Sequence, residues 1–151
     1  MNNCPRATYD ILYNLKKRDW AFKNVGYGAA NPDEPGDFWE KKAAEWNTTP
    51  ENAQTMRCGN CSAFIQTPEM MECIVKGIQG EESDAETYAP EVVDSADLGY
   101  CELFEFKCAA DRTCSAWLVG GSIKEKMSPK QKSMVKMAKL EAEQEYGGMD
   151  D

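Results

Sequence analysis

Four cysteines with distinctive neighbours are the residues best suited to carry chemistry in this sequence. The set comprises a Cys-x-x-Cys pair and two later cysteines: Cys58, Cys61, Cys101 and Cys114. A Cys-x-x-Cys turn lets two sulfurs bind one metal ion or cluster, and Gly59 and Asn60 tolerate the positive φ that such a turn often needs. Two more thiolates complete a four-sulfur shell. The spacing therefore predicts one inorganic centre held by four cysteines.

The type of centre follows from how the cysteines are spread along the chain. Structural zinc sites usually take their ligands from two short paired spacings, whereas this chain has one such pair and no His. An iron–sulfur cluster suits scattered single ligands, because each iron takes one thiolate from its own direction. Several apolar residues near the cysteines would shield such a cluster from water: Phe64, Leu103, Phe104, Phe106 and Trp117. We expect a [4Fe-4S] cluster, with zinc, a disulfide framework and free thiols as the alternatives.

Length and charge narrow the possible partners. The 151 residues fit one compact domain, or a small domain with extensions. With 17 Lys+Arg against 26 Asp+Glu, the net charge of -9 argues against nucleic acid and against an anionic membrane surface. The sequence shows no apolar run near the roughly 20 residues that span a bilayer, and no secretory signal. We expect a protein kept inside a cell, where its seven cysteines favour metal binding over disulfides.

No residue pattern indicates an enzyme. The absence of His excludes Ser-His-Asp triads and Cys-His nucleophiles. The Gly-rich segments 26–28 and 120–121 lack the spacing and the Lys of a phosphate-binding loop. The many carboxylates are typical of a solvated acidic surface. We therefore predict a protein that is not an enzyme and that has no small-molecule substrate.

Helix-start signals and apolar spacing predict the elements that position the cysteines. Helices are expected over 5–17, from Asp37 with Glu40 as its capping-box partner, over 50–56, over 68–77, and from Ser128-Pro129 to Tyr146. One face of the second helix carries Trp39, Ala43 and Trp46. The alternation of Phe104, Phe106 and Cys108 with charged residues predicts a short strand, and 117–119 a second. The acidic segment 79–97 is predicted as a surface loop.

The cysteine segments resemble the ligand pattern of the high-potential iron–sulfur proteins (HiPIPs). The similarity covers roughly residues 57–118 and comprises Cys58-x-x-Cys61 with Phe64, Cys101-x-Leu103-Phe104, and Cys114-Ser115-Ala116-Trp117. The resemblance implies a small fold with little regular structure around a [4Fe-4S] cluster. It also implies the four ligands: Cys58, Cys61, Cys101 and Cys114.

The chain departs from that pattern at its other cysteines. The gap between Cys61 and Cys101 is longer than usual and contains Cys73, which is an alternative third ligand in place of Cys101. Cys108 has no counterpart in the family. For Cys73 and Cys108 we expect buried free thiols or a mutual disulfide, and for Cys4 a free thiol.

Together these features predict a small, irregular α+β fold in three segments. A helical N-terminal extension covers 1–56, a HiPIP-like cluster-binding domain covers 57–121, and a C-terminal helix with its tail covers 122–151. Both extensions are longer than an electron carrier needs, and they are expected to bind other proteins.

The cysteine pattern, together with its Trp-rich helix and its Lys/Glu tail, also resembles uncharacterised proteins of tailed bacteriophages, including phages of cyanobacteria. That resemblance implies a structural component of the virion, in the baseplate, tail or neck, made in the host cytoplasm without a signal peptide. The cluster would act as a staple that holds the fold together. The alternative is a small soluble HiPIP-like electron carrier.

Overall fold

The computed structural model describes residues 4–28, 36–79, 93 and 97–147. Its helices with described bounds are α1 (Arg6–Tyr9), α2 (Ile11–Asn24), α3 (Phe38–Glu45), α4 (Pro50–Ala53), α5 (Pro68–Gln79) and α6 (Pro129–Tyr146). Its strands are β1 (Phe64–Ile65), β2 (Leu98–Cys101) and β3 (Phe106–Ala109). This arrangement confirms the predicted small, irregular α+β fold.

The three strands form one antiparallel sheet in the order β1-β2-β3. Phe64 of β1 lies opposite Cys101 of β2, and Cys101 in turn lies opposite Phe106 of β3. Because side chains alternate between the two faces of a sheet, this register puts Phe64, Cys101 and Phe106 on the same face. Cys108 lies two residues beyond Phe106, and therefore shares that face.

The sheet separates two hydrophobic cores. One core contains Phe64, Phe106 and Cys108, together with Tyr27 from the segment after α2 and Ala142 from α6. The other core, on the opposite face, contains residues from the sheet, α5, α6 and the segment that joins the sheet to α6: Ile65, Ile74, Tyr100, Ile123 and Val135. The first core thus draws on all three predicted segments of the chain. The predicted division into segments stays a prediction.

The helix predictions were largely confirmed at their starts. The hydroxyl of Thr49 accepts a hydrogen bond from the N–H of Asn52 at the start of α4, and Ser128 forms a capping box with Gln131 at the start of α6. The face of α3 that carries Trp39 and Ala43 is buried, as expected. The capping box predicted for α3 was wrong, because the side chain of Asp37 accepts no capping hydrogen bond.

Other element boundaries differ from the prediction. The first predicted helix is two helices that meet at Asp10, whose carboxylate accepts the N–H of Tyr13 and starts α2. The strand predicted over 117–119 was wrong, because that segment bonds to the cysteine-bearing turn instead of to a neighbouring strand. The surface loop predicted over 79–97 lies mostly outside the described residues. No helix among the described residues is long and apolar enough to cross a membrane.

Two predictions about Cys73 and Cys4 were wrong, because these residues form a disulfide with each other. Helix α1 packs directly on α5, and Gly77 allows the contact: a Cβ at this position would overlap the backbone carbonyl of Thr8. Cys73 lies one helical turn before Gly77 and therefore on the same face of α5, where it meets Cys4, two residues before the start of α1. Cys73 is thus neither the third ligand nor the partner of Cys108, and Cys4 is not a free thiol.

We predict that Gly77→Ala destabilises the protein by about 1–3 kcal/mol, because the added methyl group separates α1 from α5. At an unconstrained helical position the same change would stabilise by up to about 1 kcal/mol, so the sign of the effect is diagnostic. Urea unfolding of the parent protein and of the variant measures this change in the free energy of unfolding. Lys76→Ala on the exposed side of α5 is the control, since its ion pair with Glu72 is worth less than about 1 kcal/mol. A Gly77→Ala variant as stable as the parent would contradict this packing.

Candidate metal centre

Five cysteines line one small cavity beside the sheet. The cavity has a volume of about 20 Å³, and its lining residues are Cys58, Cys61, Ala63, Phe64, Cys101, Leu103, Cys108, Cys114 and Trp117. All four cysteines predicted as ligands are therefore brought together. Cys108, which the sequence did not place with them, is the fifth, and it is a buried free thiol as expected. The signal that could have placed it was its alternation with Phe106.

The Cys58–Asn60 turn is docked on the segment that follows β3. The N–H of Cys58 donates to the carbonyl of Arg112 (2.6 Å), and the N–H of Gly59 donates to the carbonyl of Ala110 (2.9 Å). A Cβ at Gly59 would lie 3.1 Å from the Cβ of Ala110. Neither Gly59 nor Asn60 has a positive φ, contrary to expectation. Gly59 is needed for this close approach, not for a left-handed conformation.

The indole of Trp117 fixes the same turn from the other side. Its N–H donates to the carbonyl of Arg57 (2.8 Å) and to the side-chain oxygen of Asn60 (3.0 Å). Asn60 also accepts the N–H of Arg57 and donates to the carbonyl of Thr55. Trp117 therefore acts both as a wall of the cavity and as a clamp on the Cys-x-x-Cys turn.

Cys101 is placed by the end of β2 and by the turn that follows it. The turn folds back so that the N–H groups of Leu103 and Phe104 bond to the sulfur of Cys101. Glu105 has a φ of 56° and closes the turn with a hydrogen bond from its N–H to the carbonyl of Cys101 (2.8 Å). The carboxylate of Glu105 receives Lys139 of α6 at 2.7 Å. This contact ties α6 to the turn that carries Cys101.

Cys114 and Cys61 are placed by the segment 113–118. A bridge between Gly28 and Thr113 anchors the start of this segment, and the N–H of Ala116 bonds to the sulfur of Cys114. The N–H of Leu118 donates to the sulfur of Cys61 at 3.4 Å. Backbone N–H groups therefore point at the sulfurs of three of the four predicted ligands. Such bonds stabilise the negatively charged form of a sulfur ligand.

A buried lysine holds the Cys114 segment against α3. Lys42 is buried, and its Nζ contacts the hydroxyl of Ser115 (2.8 Å) and the carboxylate of Glu45 (3.2 Å). The Ser115 hydroxyl also lies 2.9 Å from both oxygens of Glu45. This pairing satisfies the buried ammonium group, since a buried charge without a partner is strongly destabilising. The N-terminal helices thereby help to position the residue next to Cys114.

Because several thiols are buried close together at this site, converting them to thiolates costs free energy. Burial raises the pKa of Cys61 to about 12, with a further contribution from Cys101. Burial also raises the pKa of Cys108 and of Cys114 well above the usual range. A hydrogen bond with Cys108 lowers the pKa of Cys101. Several thiolates can exist together here only with a positive group among them, and bound metal is the natural source of that charge.

The donors and surroundings fit a four-thiolate cluster, whereas the present packing is tighter than a cluster needs. A cavity of about 20 Å³ has room for about one water molecule, and a core of four irons and four sulfides is larger. The cysteines must therefore spread apart to hold it. Three of them, Cys58, Cys101 and Cys114, are only half-buried.

A single metal ion and a cluster need different arrangements of sulfur. A single ion needs all its sulfurs at about 2.3 Å from one point, whereas a cluster needs each sulfur at a different iron. Among the described residues, no three or more His, Cys, Asp or Glu side chains are arranged to hold a metal ion.

Comparisons with known proteins do not extend this description. The chain matches no family model, no curated protein and no solved structure.

We predict that Trp117→Phe lowers the free energy of unfolding by about 0.5–1.5 kcal/mol, because it removes the indole N–H that donates to the part-buried carbonyl of Arg57 and to the exposed side chain of Asn60. The matched control is Trp46→Phe, which removes a longer and weaker hydrogen bond (3.5 Å) to Ser115. Chemical denaturation of both variants gives the comparison. Equal losses in the two variants would contradict a clamping role for Trp117.

Proposed function

We propose that this chain binds a [4Fe-4S] cluster in a HiPIP-like module, with Cys58, Cys61, Cys101 and Cys114 as ligands. The observation that carries the proposal is the convergence of these four thiols, from three separate parts of the chain, in one cavity with apolar walls. The backbone N–H groups directed at Cys61, Cys101 and Cys114 add to it. Hydrogen bonds to the sulfurs and exclusion of water are the features by which proteins tune such clusters.

The role we propose for the cluster is structural. The segments that carry the ligands pack on a sheet whose strands are only two to four residues long. Sheets this small have little stability of their own. Four bonds from one cluster would link the Cys58–Asn60 turn, the end of β2 and the Cys114 segment. Metal binding would then contribute directly to the free energy of folding.

We further propose that the protein works in a larger assembly, through its N-terminal helices and its C-terminal helix. Helix α6 exposes Met134 (57%), Met137 (59%) and Leu140 (48%), and α2 begins with the exposed Ile11 and Leu12. Exposed apolar side chains of this size favour contact with other proteins. The net charge of -9 disfavours nucleic acid as the partner. The proposal that the assembly is a phage virion comes from the sequence resemblance alone.

A soluble electron carrier is the second candidate, and one observation favours it. Beside the cavity, a groove of about 450 Å³ runs between α6, the end of α3 and segment 115–118. Leu103 and Trp117 line both the cavity and this groove. One layer of side chains would therefore separate the cluster from a partner in the groove, which is a short path for an electron.

We predict about four iron atoms and four acid-labile sulfides per chain when the protein is purified without oxygen. Cys114→Ala is expected to lose most of both, because each thiolate holds its own iron. The matched control is Cys4→Ser with Cys73→Ser, which removes the disulfide outside the cavity and should leave the iron content unchanged. Stoichiometric zinc, or no metal, in the parent protein would contradict the proposal.

The structural role and the carrier role predict different effects of cluster loss. As a staple, the cluster should raise the melting temperature by about 10 °C, which corresponds to about 3 kcal/mol for a chain of this size. As a carrier, it should show a reversible one-electron couple, and its loss should leave the melting temperature nearly unchanged. Scanning calorimetry and voltammetry of the loaded and cluster-free protein decide between them.

The virion proposal has its own test. Mass spectrometry of purified particles should find the chain at fixed stoichiometry with the tail, baseplate or neck proteins, and Cys114→Ala should block its incorporation. Intact, infectious particles carrying the cluster-free variant would contradict the structural role.

A further inference from the structure

Cys108 is a fifth thiol in the cavity and has no role in the four-ligand proposal. Its side chain is 1% exposed. It lines the cavity together with the four proposed ligands and lies next to Cys101 and Cys58. A buried thiol in this position is already within reach of any metal that its neighbours bind.

The strand register explains why Cys108 lies next to Cys101. Cys101 is opposite Phe106, and Cys108 is opposite Gly99. Cys101 and Cys108 are therefore diagonal neighbours on one face of the sheet, where Cα atoms lie about 7–8 Å apart and side chains lie closer. Gly99, directly across from Cys108, has no side chain, and the ring of Phe64 takes up the space where its Cβ would be. The side chains of Cys101 and Cys108 thus lie side by side on this face, next to the ring of Phe64.

The two thiols differ in their exposure. Cys101 is half-buried at the end of its strand, whereas Cys108 is fully buried near the middle of the face. Of these two residues, Cys101 is therefore the one nearer to solvent.

We propose that Cys108 is a reserve ligand, which takes over the iron held by Cys101 when Cys101 is lost or displaced. This inference rests on the proposed cluster. In the exchange, the bond from iron to the Cys101 sulfur breaks and a bond from iron to the Cys108 sulfur forms. Where Cys101 remains as a thiolate, the proton of the Cys108 thiol passes to it; where Cys101 has been lost, that proton passes to water. No electron is transferred, so the exchange needs no oxidant or reductant.

The strand pair favours an exchange with Cys101 over an exchange with Cys114. Cys101 and Cys108 lie on adjacent strands of the sheet, so a change of side-chain rotamer on β3 can move the donor sulfur without moving the backbone. Cys114 is carried by the loop that follows Thr113, outside the named strands. We therefore expect Cys108 to replace Cys101, and not Cys114.

The test compares iron content, sulfide content and electron paramagnetic resonance spectra in five proteins. They are the parent, Cys101→Ala, Cys108→Ala, the Cys101→Ala/Cys108→Ala double variant, and Cys114→Ala. We expect Cys101→Ala and Cys108→Ala each to keep about four irons per chain. We expect the iron content of the double variant and of Cys114→Ala to fall by about tenfold. The spectrum of Cys101→Ala should differ from that of the parent, because a different cysteine then holds one iron.

The possible failures can be told apart. A loaded parent with a Cys101→Ala variant as empty as the double variant would overturn the reserve ligand and leave the cluster proposal standing. A double variant that keeps its iron would also overturn the reserve ligand and leave the cluster proposal standing. A parent without iron would overturn the cluster, and with it the reserve ligand. Circular dichroism of the cluster-free proteins serves to show that each variant folds.

Discussion

The docking of the Cys58–Asn60 turn on the segment after β3 is the interaction on which the rest of the site depends. Two backbone hydrogen bonds, from Cys58 to Arg112 and from Gly59 to Ala110, bring the Cys-x-x-Cys pair beside the sheet. Without them, Cys58 and Cys61 would lie apart from the cysteines of β2 and β3. The absence of a side chain at Gly59 permits the contact, and the indole of Trp117 holds it. Backbone geometry thus brings these sulfurs together.

At this site, the ionisation of the buried cysteines costs free energy. Burial raises the pKa of Cys61 and of Cys114, while Cys101 is stabilised as a thiolate by Cys108 and by backbone N–H groups. A group of buried sulfurs that resist ionisation, yet have N–H donors directed at them, is best satisfied by a cation among them. The same core holds side chains from α2, the sheet and α6, such as Ala21, Phe106 and Ala142. A change in the cysteine cavity would therefore also affect the packing of the helices that we propose as partner-binding elements.

Local signals in the sequence predicted where most helices begin, whereas long-range pairing could not be predicted from them. The helix that begins after Ser128 is capped as predicted, because capping involves residues only three positions apart. Strand β2 was not predicted, since four residues with Gly99 at their centre show no clear alternation. The pairing of Cys4 with Cys73 was also not predicted. It depends on the packing of α1 on α5 at Gly77, across 69 residues of sequence.

The residue types and spacing by themselves determined the small α+β class, the capped helices and the four candidate ligands. They did so because apolar periodicity, caps and a Cys-x-x-Cys pair are properties of short stretches of chain. Only the tertiary structure decided which thiols share the cavity: it added Cys108 through the register of β2 and β3, and it removed Cys73 through the disulfide with Cys4. The physical reason is that a thiol's neighbours are set by strand register and helix packing, which depend on contacts between residues far apart in sequence.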